Sequence, residues 1–198
     1  KGVKPEDFSS YRQRRVNHEV MMRGTFDNAH IQNEMTPKTK GGWTTHGPSN
    51  VPVTIYEAHK LYAAEKRPLV VIAGKEYGTG SSRDWAAKGP YLLGVRAILA
   101  ESFERIHRSN LIGMGILPLE FLEGENRKDF KLNGSESVDI LTAYHDIDVK
   151  KLIDIEFKKP SGEVLSAKLL CRLDTNSELS WYKSGGVMPH ILEKLKTA

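Results

Sequence analysis

The residues best suited to chemistry stand together in Gly78-Thr79-Gly80-Ser81-Ser82-Arg83-Asp84. Two adjacent hydroxyls and a guanidinium follow glycines, which admit left-handed backbone and let a ligand approach the main chain closely. An apolar run, PLVVIAG (68–74), precedes the corner, and a helical pattern follows it. A strand, a glycine turn and a helix start leave backbone N–H groups without internal partners and a partial positive charge at the turn. Arg83 would add a planar, two-pronged grip, so the chemistry expected here is capture of a carboxylate or similar anion. The same residues also fit a plain helix cap, because Ser81-x-x-Asp84 has the spacing of a capping box. One serine can cap while its neighbour faces a ligand, so both readings stay open. Phosphate motifs do not fit. A P-loop needs lysine and a hydroxyl directly after the last glycine, and the dinucleotide fingerprint needs a glycine where Arg83 stands.

The elements that must position this corner follow from apolar spacing. PLVVIAG is β-branched and continuous, which predicts a strand buried on both faces. VRAILA (95–100) and ILPLEF (116–121) predict two more strands, and SFERIHRSNLIGMG (102–115) a short helix with Ile106, Asn110 and Leu111 on related faces. This alternation predicts an α/β layer with parallel pairing. Upstream, YEAHKLYAAEKR (56–67) reads as a surface helix, and TPKTKGGWTTHGPSNVP (36–52) as a loop. Downstream, SVDIL, KLIDIEFKK and VLSAKLLCRL read as strands, the last two a hairpin turning through Gly162 as an antiparallel appendage. VMPHILEKLKTA (187–198) reads as a closing helix, with Pro189 tolerated in its first turn. The expected class is α/β, a mixed sheet with parallel strands, flanking helices and an antiparallel hairpin, in one domain over 1–198.

Composition bounds the function. The 198 residues carry a formal net charge of +4, which favours anionic ligands without demanding nucleic acid. No apolar stretch reaches the roughly 18–20 residues of a membrane span, and the polar N-terminus has no secretory core. The lone Cys171 excludes an internal disulfide and a cluster held by several thiolates of this chain, and points to a reducing, cytoplasmic setting. It lies in an apolar strand pattern and reads as a buried thiol. The seven histidines show no metal-ligand spacing among themselves, so no metal is expected here. His107 reads as a packing or hydrogen-bonding residue. Arg12, Arg14 and Arg15 read as a solvated face or interdomain contact rather than an RNA site. Opening on lysine, the chain reads as a piece of a longer one.

Residues 73–121, AGKEYGTGSSRDWAAKGPYLLGVRAILAESFERIHRSNLIGMGILPLEF, closely resemble the C-terminal swivelling domain of the aconitases. The subgroup is that of aconitase A and cytosolic aconitase, the iron regulatory protein. SSYRQRRVNHEVMMRGTFDN (9–28) and RLDTNSELSWYKSGGVMPHIL share the resemblance, with residues 30–52 its poorest part. It implies a swivelling-domain β/β/α fold and a hydro-lyase interconverting citrate and isocitrate through cis-aconitate. It implies a 4Fe–4S cluster acting as Lewis acid toward the departing hydroxyl, its ligands and most other catalytic groups lying in the remaining aconitase domains. It further implies Ser81 as the base that removes a proton from carbon, and Ser82, Arg83 and Arg23, in an RG-x-x-x-N element, as substrate ligands. A serine serves as a base only if its alkoxide is stabilised, which a helix N-terminus and Arg83 would do. The isolated chain is accordingly expected to be inactive.

Two other readings compete. The small subunit of an isopropylmalate isomerase, or a 2-methylcitrate-type hydro-lyase, would share a similar corner, though DWAAKGPYLLG is closer to aconitase. Cytosolic aconitase lacking its cluster binds RNA hairpins, but this chain shows no aromatic–basic interleaving of an RNA module.

Overall fold

A computed structural model describes residues 2, 4–7, 17–80 and 83–197. The chain divides into two compact units, Lys1–Leu61 and Tyr62–Ala198, each taken by itself.

In the first unit, helix α1 (His18–Gly24) starts at Asn17, whose side chain accepts from Val20 N–H at 3.3 Å. Strands β1 (Trp43–His46) and β2 (Val51–Thr54) then pair antiparallel, Trp43 opposite Thr54 and His46 opposite Val51. About a third of the stretch 36–52 is therefore strand, where its Gly, Pro and Ser content predicted only loop. Gly47-Pro48-Ser49-Asn50 confines the turn, closed by Asn50 N–H to His46 O at 2.8 Å, while β-branched Thr44, Thr45, Val51 and Val53 form the ladder. Helix α2 (Ile55–Ala64) follows directly, close to its expected span.

The second unit is built on a six-stranded sheet in the order β3-β4-β5-β8-β7-β6. Strands β3 (Leu69–Ile72), β4 (Val95–Ala100) and β5 (Leu117–Glu120) run parallel, connected through α3 (Trp85–Leu92) and α4 (Arg105–Gly113). The expected strand–helix alternation is present. β6 (Ser137–Ile140), β7 (Leu152–Lys158) and β8 (Val164–Cys171) are antiparallel, and β8 joins the parallel half by pairing Leu119 with Cys171. The predicted appendage is thus an extension of the same sheet. β3 is also a correction. It is half-buried along its length, because it forms the sheet edge, whereas β4 is the strand buried on both faces. Apolar content alone does not separate a central strand from an edge.

The sheet parts two apolar cores. Alternate residues of β3 and β4 go to opposite sides: Val70, Ile72, Ala97 and Leu99 join β7, β8 and Phe121 in the larger core. Leu69, Val71, Val95, Ile98 and Ala100 join Ala87, Phe103 and Leu111 in the smaller. Two C-terminal helices, α5 (Asn176–Lys183) and α6 (Val187–Thr197), complete the unit. α5 was missed by apolar periodicity, yet its start was written in Thr175-x-x-Glu178. The Thr175 hydroxyl accepts from Glu178 N–H at 3.2 Å.

Candidate functional site

The glycine corner leaves the carboxyl end of β3, on the side of a parallel sheet where ligands of α/β folds commonly bind. Past Ile72 the chain stays tied to the strand beside it. Ala73 N–H donates to Leu99 O at 2.8 Å and Glu101 N–H to Gly74 O at 3.1 Å. Tyr77 then bridges to Phe103, its N–H reaching Ser102 O and its carbonyl accepting from Glu104 N–H, both at 3.0 Å. The turn closes as Thr79 donates both its N–H and its hydroxyl to Glu76 O, at 3.0 and 2.9 Å. Glu76 adopts a φ of 55°, held by its N–H bond of 2.8 Å to the Ser102 hydroxyl.

Gly78 and Gly80 have φ of 99° and 89°, the left-handed backbone expected of them. At Gly78 a side chain is also excluded by contact, since a Cβ would lie 2.3 Å from the His107 ring. The loop main chain rests on imidazole. His107 is buried, its ring centroid 5.3 Å from that of Tyr77, so its expected packing role is observed. Burial pushes its pKa down, against the opposing pull of the Glu104 carboxylate. Glu104 caps α4, accepting from Ile106 and His107 N–H at 3.0 and 2.7 Å. Those two amides hold its carboxyl below the usual range.

Arg83 is exposed immediately ahead of α3. Asp84 occupies the cap position in helical conformation and its side chain makes no capping bond to the helix it precedes. The helix begins at Trp85, later than that motif requires. Ser81 and Ser82 lie outside the described residues. Arg23 belongs to the other unit, in the last turn of α1. It is exposed, donates to Glu19 O, and lies 4.3 Å over the Tyr56 ring. Arg12, Arg14 and Arg15 fall outside the described residues.

Two features near this edge escaped the sequence. Glu101, at the end of β4, pairs with Arg127 at 3.4 Å beside Gly74. One residue after His107, Arg108 is locked into a buried fork with Glu178, at 2.9 and 3.1 Å, and donates to Arg172 O at 2.7 Å. The Thr175-x-x-Glu178 spacing was the available signal, but Glu178 turns its carboxylate to Arg108 and Asp174 N–H instead of closing the box.

Among the described residues no cluster of His, Cys, Asp or Glu could hold a metal ion, and no helix is long and apolar enough to cross a membrane. Cys171 is buried, as expected, and burial pushes its thiol up to about 11. These side chains do not fit as ligands of an iron–sulfur cluster.

Aconitate hydratase A of Legionella pneumophila is 52% identical over 197 residues, covering 100% of this chain and 22% of that protein. The Thermus thermophilus enzyme of the same name is 56% identical over 192 residues (97% and 21%), and that of Escherichia coli 51% over 195 (98% and 22%). The chain thus spans about a fifth of the length of these relatives. A crystal structure of 3-isopropylmalate dehydratase from Methanocaldococcus jannaschii aligns at a TM-score of 0.45 and 19% identity, over 73% of this chain and 81% of that one. Residues 1–124 match the aconitase C-terminal domain family, and the chain belongs to it.

Proposed function

We propose that the chain is the substrate-gripping, serine-bearing domain of an aconitate hydratase, a hydro-lyase that interconverts citrate and isocitrate through cis-aconitate. The observation that carries this reading is the corner itself. A left-handed glycine loop at the carboxyl edge of parallel strands delivers an exposed arginine to the start of a helix, in a member of the aconitase C-terminal family. A tricarboxylate needs several fixed cationic contacts, and a guanidinium fork holds a carboxylate in one plane. Arg83 and Ser82 bind one end of the substrate, and Arg23 supplies a second guanidinium. Ser81 Oγ, as the alkoxide, takes the proton from the carbon next to a carboxylate, and the C–H electron pair becomes the double bond of cis-aconitate as the neighbouring C–O bond breaks, the hydroxide leaving as water with a proton supplied by an acid of the other domains. Arg83 and the start of α3 favour the negative charge this requires of the serine. The full-length enzyme would use a 4Fe–4S cluster, whose ligands belong to the other aconitase domains.

The test is turnover of citrate and cis-aconitate by the full-length protein, wild type against Ser81→Ala and Arg83→Lys. Ser81→Ala should lower kcat by about 10²–10⁴-fold with little change in KM, because its part is proton transfer. Arg83→Lys should raise KM as well, since an ammonium cannot reproduce the fork. Near-normal turnover in Ser81→Ala would remove the base assignment.

A further inference from the structure

His107 occupies an unusual place for a buried polar side chain. Its Nδ1 is sealed from solvent without a hydrogen-bond partner, as is Nδ2 of Asn110 three residues on, along neighbouring lines of α4. An unpaired buried nitrogen costs stability, and an apolar ring would avoid that cost. The contact that accompanies it lies on the ring's other atoms. Cβ, Cγ and Cδ2 of His107 all lie 2.3–2.4 Å from where a Gly78 Cβ would be, so the backbone at Gly78 meets this side chain with no gap. Three contacts hold the residue and its helix, one of them on the ring. The Glu104 carboxylate holds His107 N–H at 2.7 Å, Tyr77 packs against the imidazole at 5.3 Å between centroids, and the Arg108–Glu178 fork sets the rotation of α4 about its axis. Of these groups it is the His107 side chain that meets Gly78, three residues before Ser81.

We infer that His107 is the positioning residue of the serine–arginine corner: its ring is the floor that sets how far the Gly78–Gly80 loop stands above α4. The inference rests on the proposed hydro-lyase reading for its catalytic consequence, though not for its structural one. A floor acts by shape, so a flat apolar ring should replace it while a methyl group should not. The loop would sink onto a smaller side chain and carry the reacting groups out of register.

The experiment uses the full-length protein as wild type, His107→Ala and His107→Phe, with two readouts. His107→Ala should lower kcat about 100-fold and raise KM, the size of effect expected of a displacement near 1 Å. His107→Phe keeps a flat ring at this position, though a larger one, and should recover kcat to within about tenfold of wild type. Amide hydrogen exchange over residues 76–84 should accelerate about tenfold or more in His107→Ala, with the strands at 95–100 and 116–121 unchanged. Unaltered kcat, KM and loop exchange in His107→Ala overturn the inference and reduce His107 to ordinary packing. Equal damage in His107→Ala and His107→Phe also overturns it, because an imidazole nitrogen rather than the ring surface would then be required. If the wild type shows no turnover of citrate or cis-aconitate, the hydro-lyase reading fails, and the exchange comparison alone decides the inference.

Discussion

The parallel and antiparallel halves of the six-stranded sheet place their irregular backbone and their charges differently. In the antiparallel half β7 alternates strictly, with Ile153, Ile155 and Phe157 buried and Leu152, Asp154 and Lys158 exposed. Its charged residues pair across the solvent face, as Lys158 does with Asp139 at 2.7 Å. The parallel half is equally apolar within the strands, and non-glycine residues at positive φ occur in both halves, Glu76 in one and Lys150 in the other; what only the parallel half gathers past its carboxyl ends is a glycine loop resting on a buried imidazole with an unpaired nitrogen, next to an exposed arginine. Costs of this kind concentrate where a fold carries function and are rarer where it carries only stability.

This contrast can be broken by substitution. The largest stability effect should come from Phe157→Ala, which removes a fully buried ring packed 5.7 Å from that of Phe130. It should cost about 3–5 kcal/mol in urea unfolding, while kcat of the folded protein stays within about twofold. A large loss of kcat per folded molecule would mean that the antiparallel half tunes the site, and the division of labour would fail. Next is Glu178→Gln, at the joint between the halves. Side chains of Arg108 and Glu178 are only 10% and 9% exposed, so removing the Glu178 charge leaves the buried Arg108 with only the longer 3.6 Å pair to Asp174 to balance it, at about 3 kcal/mol. Arg108→Met with Glu178→Leu should recover much of that loss, and a double mutant no more stable than Glu178→Gln would contradict the pairing. Smallest is Lys168→Ala on the exposed face of β8. Its ion pair with Asp154 is more than half exposed on both sides, and its removal should change stability by no more than about 0.5 kcal/mol, within the scatter of replicate melts.

Much of this was legible in the residues. The three parallel strands, the hairpin through Gly162 and the closing helix follow from apolar period and turn chemistry, because local geometry sets those periods. The resemblance of residues 73–121 to aconitase likewise gave the family without a coordinate. Other features were not local. PLVVIAG has the composition of a central strand and lies at an edge, since strand order is settled by which neighbours complete the sheet. The Thr and Val residues around Gly47-Pro48 form a ladder only once the two arms meet. Thr175-x-x-Glu178 marked a helix start, yet the partner of Glu178 lies seventy positions earlier, at Arg108.

What the sequence determined by itself is chemical: hydroxyls and a guanidinium next to glycines, a single thiol unsuited to hold a cluster, and a family. What only the tertiary structure decided is mechanical: that the Gly78 backbone lies on the His107 ring, and that Arg108 holds α4 against α5. Residue types fix which bonds can form, because that chemistry is carried within each side chain. Which surfaces meet depends on packing between segments far apart in the chain, and a contact as close as that of Gly78 with His107 exists only after both strands and both helices have found their places.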